Sequence, residues 1–217
     1  MSELNKYIEI CLLNILSRNV PSKATKHACD VISVLKDSDA KIIENIDKNL
    51  LLRSVIKSLN PEFLSECKKA NIDFNLSELP FNPLKELIDS YAFTLNYKMY
   101  DVMDTNWDES SGPLILSQDV KSLFFDLNLS SFKDFNPLKR LCEEFCKFQH
   151  ESTWDLIETF YYSGFNPSDL KDLFFEGDMK EYENIAKKWV SEYQSSILNH
   201  EINSQTTKNK KVRRHVL

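Results

Sequence analysis

The sequence predicts an all-α fold: helical hairpins stacked as a compact bundle or short α-solenoid, containing an internal duplication. Three observations carry that prediction. The 217 residues include only three glycines, Gly112, Gly164 and Gly177, too few for the many tight turns of a sandwich or barrel. Apolar residues recur at helical spacing along most of the chain. Asn-Pro also stands at Asn60-Pro61, Asn82-Pro83, Asn136-Pro137 and Asn166-Pro167. There asparagine would accept the orphan N–H groups of a first helical turn, and proline would sit where no hydrogen bond is lost.

Taken in order, periodic apolar positions predict helices over 3–17, 23–36 and 39–59. Asn60 opens a short helix over 61–70, and Asn82 a long one over 83–107. After the Ser-Gly region 108–117 comes a helix over 118–126. Asn136 opens a second long helix over 137–161, Asn166 a short one over 168–176, and a last helix covers 179–198. Segments 71–81 and 128–135 read as loops, and 201–217 as a polar, flexible tail.

The duplication rests on a shared string: Phe81-Asn-Pro-Leu-Lys85 recurs as Phe135-Asn-Pro-Leu-Lys139, an offset of 54. The same offset aligns Leu87 with Leu141, Tyr91 with Phe145, and Tyr100-Asp-Val-Met-Asp-Thr105 with Trp154-Asp-Leu-Ile-Glu-Thr159. After a short slip, Ser111-Gly112 matches Ser163-Gly164, and Asp119–Asp126 matches Asp169–Glu176. The pairs Leu84/Leu138, Val102/Leu156 and Met103/Ile157 keep one apolar face in both copies. The organisation read from this is an N-terminal helical region over 1–72, serving as a diverged repeat or cap, then units over 73–128 and 129–177. A capping helix over 178–200 and a flexible basic tail over 201–217 complete it.

Composition narrows function chiefly by exclusion. With three glycines, neither G-x-G-x-x-G nor G-x-x-x-x-G-K-[ST] can be built, so a Gly-rich phosphate loop is out. An odd five cysteines in apolar or helical surroundings suit a reducing compartment, and the chain reads as cytoplasmic, with no secretory leader and no membrane-spanning run. The net charge of −6 includes five positive charges in residues 208–217, leaving −11 on the rest. A uniformly basic nucleic-acid footprint is therefore missing from the body.

Candidate sites fall into five groups. Phe124, Phe125, Phe174, Phe175, Tyr161 and Tyr162 load helix ends with aromatics, either for packing or to line a groove that binds a partner protein's helix or peptide. Lys208, Lys210, Lys211, Arg213 and Arg214 suit a polyanion, so nucleic acid is a candidate partner through residues 208–215. Cys142, Cys146 and His150, spaced i, i+4 and i+8, form a weak metal set, for want of a fourth ligand and of any equivalent in the first copy. The paired carboxylates Asp101/Asp104 and Asp155/Glu158 would serve acid/base or metal chemistry only if a cleft held them. Asp104–Asp108 begins like a calcium loop, but Glu109 and Ile115 occupy the positions that need glycine and glutamate.

The leading expectation is a non-enzymatic helical scaffold or accessory subunit that binds another protein within a larger assembly. It needs no cofactor, enters no membrane and leaves self-association open. One alternative is a nucleic-acid-associated factor using the basic C-terminal tail; the other is a metal-dependent enzyme using the paired carboxylates.

Overall fold

In the computed structural model, the described residues are 3–17, 21–36, 43–100, 112–172 and 180–213. They form nine α-helices and two 3-10 turns, with no strand among the described residues, so the all-helical prediction holds. The helices are α1 (Glu3–Ser17), α2 (Pro21–Lys36), α3 (Lys48–Ser58), α4 (Pro61–Lys69), α5 (Pro83–Tyr100), α6 (Gly112–Asp126), α7 (Pro137–Phe148), α8 (Glu151–Tyr162) and α9 (Lys180–Arg213). The 3-10 turns are Leu129–Ser131 and Pro167–Asp172.

Successive helices pair as hairpins, and the hairpins stack. α1, α3, α5 and α7 follow one another in one layer; α2, α4, α6 and α8 follow in the same order in the other. The turn at Pro167–Asp172 packs on both α7 and α9, which places α9 at the end of the stack. One contiguous apolar core runs the whole length, from Ile8 and Leu12 through Leu51, Phe63 and Leu87 to Phe160 and Trp189. Each fully buried Leu or Phe of that core contributes about 1.5–3 kcal/mol of transfer free energy.

All four Asn-Pro caps form, three of them opening the predicted α-helices and Asn166 a 3-10 turn in place of the expected helix. Asn60 Oδ1 accepts from the amides of Glu62 and Phe63, Asn82 Oδ1 from Lys85, Asn136 Oδ1 from Leu138 and Asn166 Oδ1 from Ser168. Two of these caps also reach across the fold with their amide nitrogens. Asn82 Nδ2 donates to Asp134, and Asn136 Nδ2 donates to the Asn166 carbonyl and to Asp169.

Several expected boundaries move. The helix expected over 39–59 is interrupted: 43–44 are helical, 45–47 are not, and α3 starts at Lys48, where Asp47 turns its carboxylate onto the amides of Asn49 and Leu50 and caps the new helix. The one expected over 118–126 begins at Gly112 instead. The segment beginning at Pro167 forms a 3-10 turn, and the last helix continues past 198 to Arg213, so the backbone of 201–213 is helical where a flexible tail was expected.

The largest correction concerns 137–161, expected as one helix. Gln149 takes a left-handed conformation (φ 55°), its N–H reaches the Phe145 carbonyl at 2.7 Å, and α8 restarts after His150. A continuous helix would have placed the polar Gln149 four residues beyond Phe145, on the buried stripe that includes Leu138, Leu141 and Cys142. Breaking there leaves Gln149 exposed and folds α8 back onto α7. In α5 the position at the same sequence offset is Leu95, which is buried, and the helix runs on. The sequence match between 81–126 and 135–176 is thus not repeated as two equal structural units.

Candidate functional site

The aromatic residues divide by helix face. Phe124 on α6 is buried, with its ring edge-on to Phe160 of α8 at 4.6 Å and 6.3 Å from Phe165. A second ring series begins with Phe145 on α7, 5.3 Å from Trp154. Trp154 stacks on Trp189 of α9 at 5.3 Å, and Trp189 stacks on Tyr161 at 4.4 Å. Tyr182 closes the cluster against Phe145 and Trp154. These rings fasten α9 to the α7–α8 hairpin, each pair adding about 0.5–1.5 kcal/mol beyond its buried area.

Two predicted aromatics touch that packing at its edge but stay largely exposed. Phe125 is 61% exposed and Tyr162 is 77% exposed. Tyr162 stands on the wall of an open groove of about 390 Å³ between the end of α8 and α9, lined also by Tyr161, Phe165, Glu192 and Tyr193. Phe125 lies outside that groove, its ring 5.1 Å from the buried Phe124.

Local backbone chemistry shapes the groove. α8 ends at Ser163, after which Gly164 adopts φ 83°. The Gly164 N–H bonds to the Tyr161 carbonyl and the Phe165 N–H to the Phe160 carbonyl, the pair of bonds that defines a Schellman ending. Phe165 then folds back on Phe160, ring centres 5.7 Å apart. Lys133 sits over the other side of the Phe165 ring at 3.8 Å while donating to the Ser163 carbonyl, and burial lowers its pKa. On the opposite wall the Tyr161 hydroxyl donates to Glu192 at 3.3 Å; burial first, and the neighbouring Glu192 carboxylate second, push that phenol's pKa up. The result is an apolar, aromatic trough with a carboxylate on one side and an ammonium near its floor.

The remaining sequence candidates separate. Phe174, Phe175, Asp101, Asp104 and Arg214 lie outside the described residues. Lys208, Lys210, Lys211 and Arg213 fall on the helical backbone of α9. Cys142 is buried and Cys146 half-buried on α7, but His150 lies beyond the break at Gln149, so the i, i+4, i+8 stripe is interrupted. Their donor atoms do not gather as a metal-ligand group among the described residues. Burial drives the Cys142 thiol pKa far up, which holds it as an inert thiol. Glu158 accepts from the Trp154 indole at 3.1 Å, and Asp155 is exposed, so this pair lines no described cleft.

Phe165, Glu192 and Tyr193 were missed in the sequence. For Phe165 a signal existed: Phe-Asn-Pro occurs a third time at 165–167, after 81–83 and 135–137, with Phe just before the capping asparagine. Glu192 and Tyr193 carry no signal, since they enter the site only because α9 docks on α8.

No family model matches the chain, no curated protein matches it, and no solved structure matches it. Among the described residues, no helix is long and apolar enough to cross a membrane.

Proposed function

We propose that this chain is a non-enzymatic helical scaffold or accessory subunit that holds another protein through the aromatic groove between α8 and α9. The observation that carries this reading is the exposure of Tyr162 and Phe125 beside rings that are otherwise closely packed. Large exposed aromatics of this kind supply contact area at low entropic cost and are enriched at interfaces. The trough's dimensions and chemistry suit the apolar face of an amphipathic helix carrying a basic residue toward Glu192. Stacked hairpins supply the rigid support such a surface needs.

The test is recovery of native partners with the full chain, with Tyr162→Ala/Tyr193→Ala, and with residues 207–217 deleted, each with and without nuclease. The reading expects a protein partner that survives nuclease and tail deletion, and whose affinity drops by about 2 kcal/mol or more in the double variant. Recovery indifferent to the groove variant would end it. A partner that disappears with nuclease, with high salt and with the tail deletion would instead establish the nucleic-acid reading.

A further inference from the structure

Away from the groove, the first hairpin brings a different chemistry together. Cys11 on α1 faces His27 and Asp30, one turn apart on α2. A thiol sulfur, an imidazole nitrogen and a carboxylate oxygen from these three residues all lie within 4.8 Å of one another, the one such group among the described residues. Cys11 is 2% exposed, while the His27 and Asp30 side chains are 26% and 35% exposed, so the cluster has a buried floor and an open mouth.

We infer that Cys11, His27 and Asp30 form a zinc site that clamps α1 to α2 and leaves a fourth position open to water. Three arguments support it. The donor set of one thiolate, one imidazole and one carboxylate is borderline-soft and mixed, which suits zinc and disfavours magnesium or calcium, whose ligands are oxygens. Metal–ligand bonds of about 2.0–2.3 Å set tetrahedral donors roughly 3.5 Å apart. His27 Nδ1 already lies 3.9 Å from Asp30 Oδ2, and the remaining gaps close with small side-chain adjustments.

The third argument is an unpaired atom. His27 Nδ1 is buried and has no hydrogen-bond partner, the carboxylate beside it being too far to accept one. A buried, unpaired nitrogen beside a carboxylate, in a cluster with a thiol, is what a metal ligand requires before it is loaded. Zinc binding displaces the thiol proton to solvent and forms the sulfur–metal bond, with no change of oxidation state.

The full-length protein, dialysed against zinc and then metal-free buffer, should retain one zinc per chain by elemental analysis. Its cobalt(II) form should show a thiolate-to-cobalt charge-transfer band in the near ultraviolet. Cys11→Ser should abolish that band, and His27→Asn and Asp30→Asn should each weaken zinc in chelator competition by at least the ~100-fold that losing an outer-shell partner costs. Cys29→Ser, at an exposed position two residues from His27, should leave the binding unchanged. If Cys11→Ser misfolds by circular dichroism, the two partly exposed α2 variants still decide the matter. A metal-free wild type, or zinc held equally by all three ligand variants, overturns the site.

Discussion

α5 and the α7–α8 pair begin alike, with the same Phe-Asn-Pro-Leu-Lys string and the same buried positions, Leu84, Leu87 and Tyr91 against Leu138, Leu141 and Phe145. They part at Leu95 and Gln149. The first continues as helix and the second turns back within two residues. A single polar residue arriving on an apolar stripe is enough to favour the break, since burying an unpartnered amide costs more than a left-handed glutamine. The neighbouring position differs for a related reason. Asn96 of α5, aligned with His150, donates to the Ala92 carbonyl and, across the layer, to the Glu144 carboxylate of α7. Glu144 has no exposed surface and also takes Arg140 at 3.1 Å and Lys147 at 3.0 Å. The straight copy thus helps satisfy a charge buried in the broken one.

This contrast can be broken most severely by placing the break-inducing residue in the straight copy. Leu95→Gln should cost about 3–5 kcal/mol in denaturant unfolding, combining a lost core side chain with a buried amide. A loss under about 1 kcal/mol would show that Leu95 does not hold α5 straight. Next comes the link between the copies: Asn96→Ala should cost about 1–3 kcal/mol by leaving Glu144 one donor short. In a double-mutant cycle with Glu144→Gln the two effects should be clearly non-additive. Additive costs would mean that the Asn96–Glu144 bond contributes little.

Smaller changes act on the turns. Gln149→Gly should stabilise the protein by up to ~1 kcal/mol, because glycine occupies the left-handed position without a Cβ penalty. Gly164→Ala should cost about 1 kcal/mol at φ 83° and loosen Phe165 from the groove, seen as altered near-ultraviolet dichroism.

The smallest effects are in pH dependence. Burial raises the Asp119 carboxyl on α6 to about 6, so the folded state binds its proton before the unfolded chain does. Its destabilising contribution is full above pH 6 and is relieved as pH falls toward 3.8. Glu66 on α4 behaves oppositely. The Lys69 hydrogen bond first, and Lys36 as a lesser contributor, hold it below its ordinary 4.5 against the opposing effect of burial, so its stabilisation persists above 4.5 and is lost as pH falls further. Asp119→Asn should flatten the rise in stability between pH 6 and 4, and Glu66→Gln the fall below 4.5. Melting curves unchanged in shape for both variants would discard these assignments.

Much of the architecture was readable because its determinants are local. The asparagine caps, the proline first turns and the apolar stripes depend on residues a few positions apart, and all four caps form where the sequence placed them. The break at Gln149 was also local in origin, but the identity of the preceding residues pointed to a longer helix, and the alignment with a straight copy reinforced it. Candidate sites fared unevenly. Tyr162 and Phe125 stood out as aromatic doublets, yet exposure split each doublet, with Phe124 in the core and Tyr161 under Trp189. Cys11 lies sixteen residues from His27, and no spacing rule joins them until α1 and α2 fold together.

The sequence by itself determined an all-helical chain, the starts of its central helices and the faces they bury. Those follow from hydrogen-bond capping and from the 3.6-residue period, which act within a few turns. Only the tertiary structure decided that hairpins stack in two layers, that α9 completes an aromatic groove, and that a thiol, an imidazole and a carboxylate meet between α1 and α2. Such meetings depend on which helix packs against which, a choice made by the whole core rather than by any one segment.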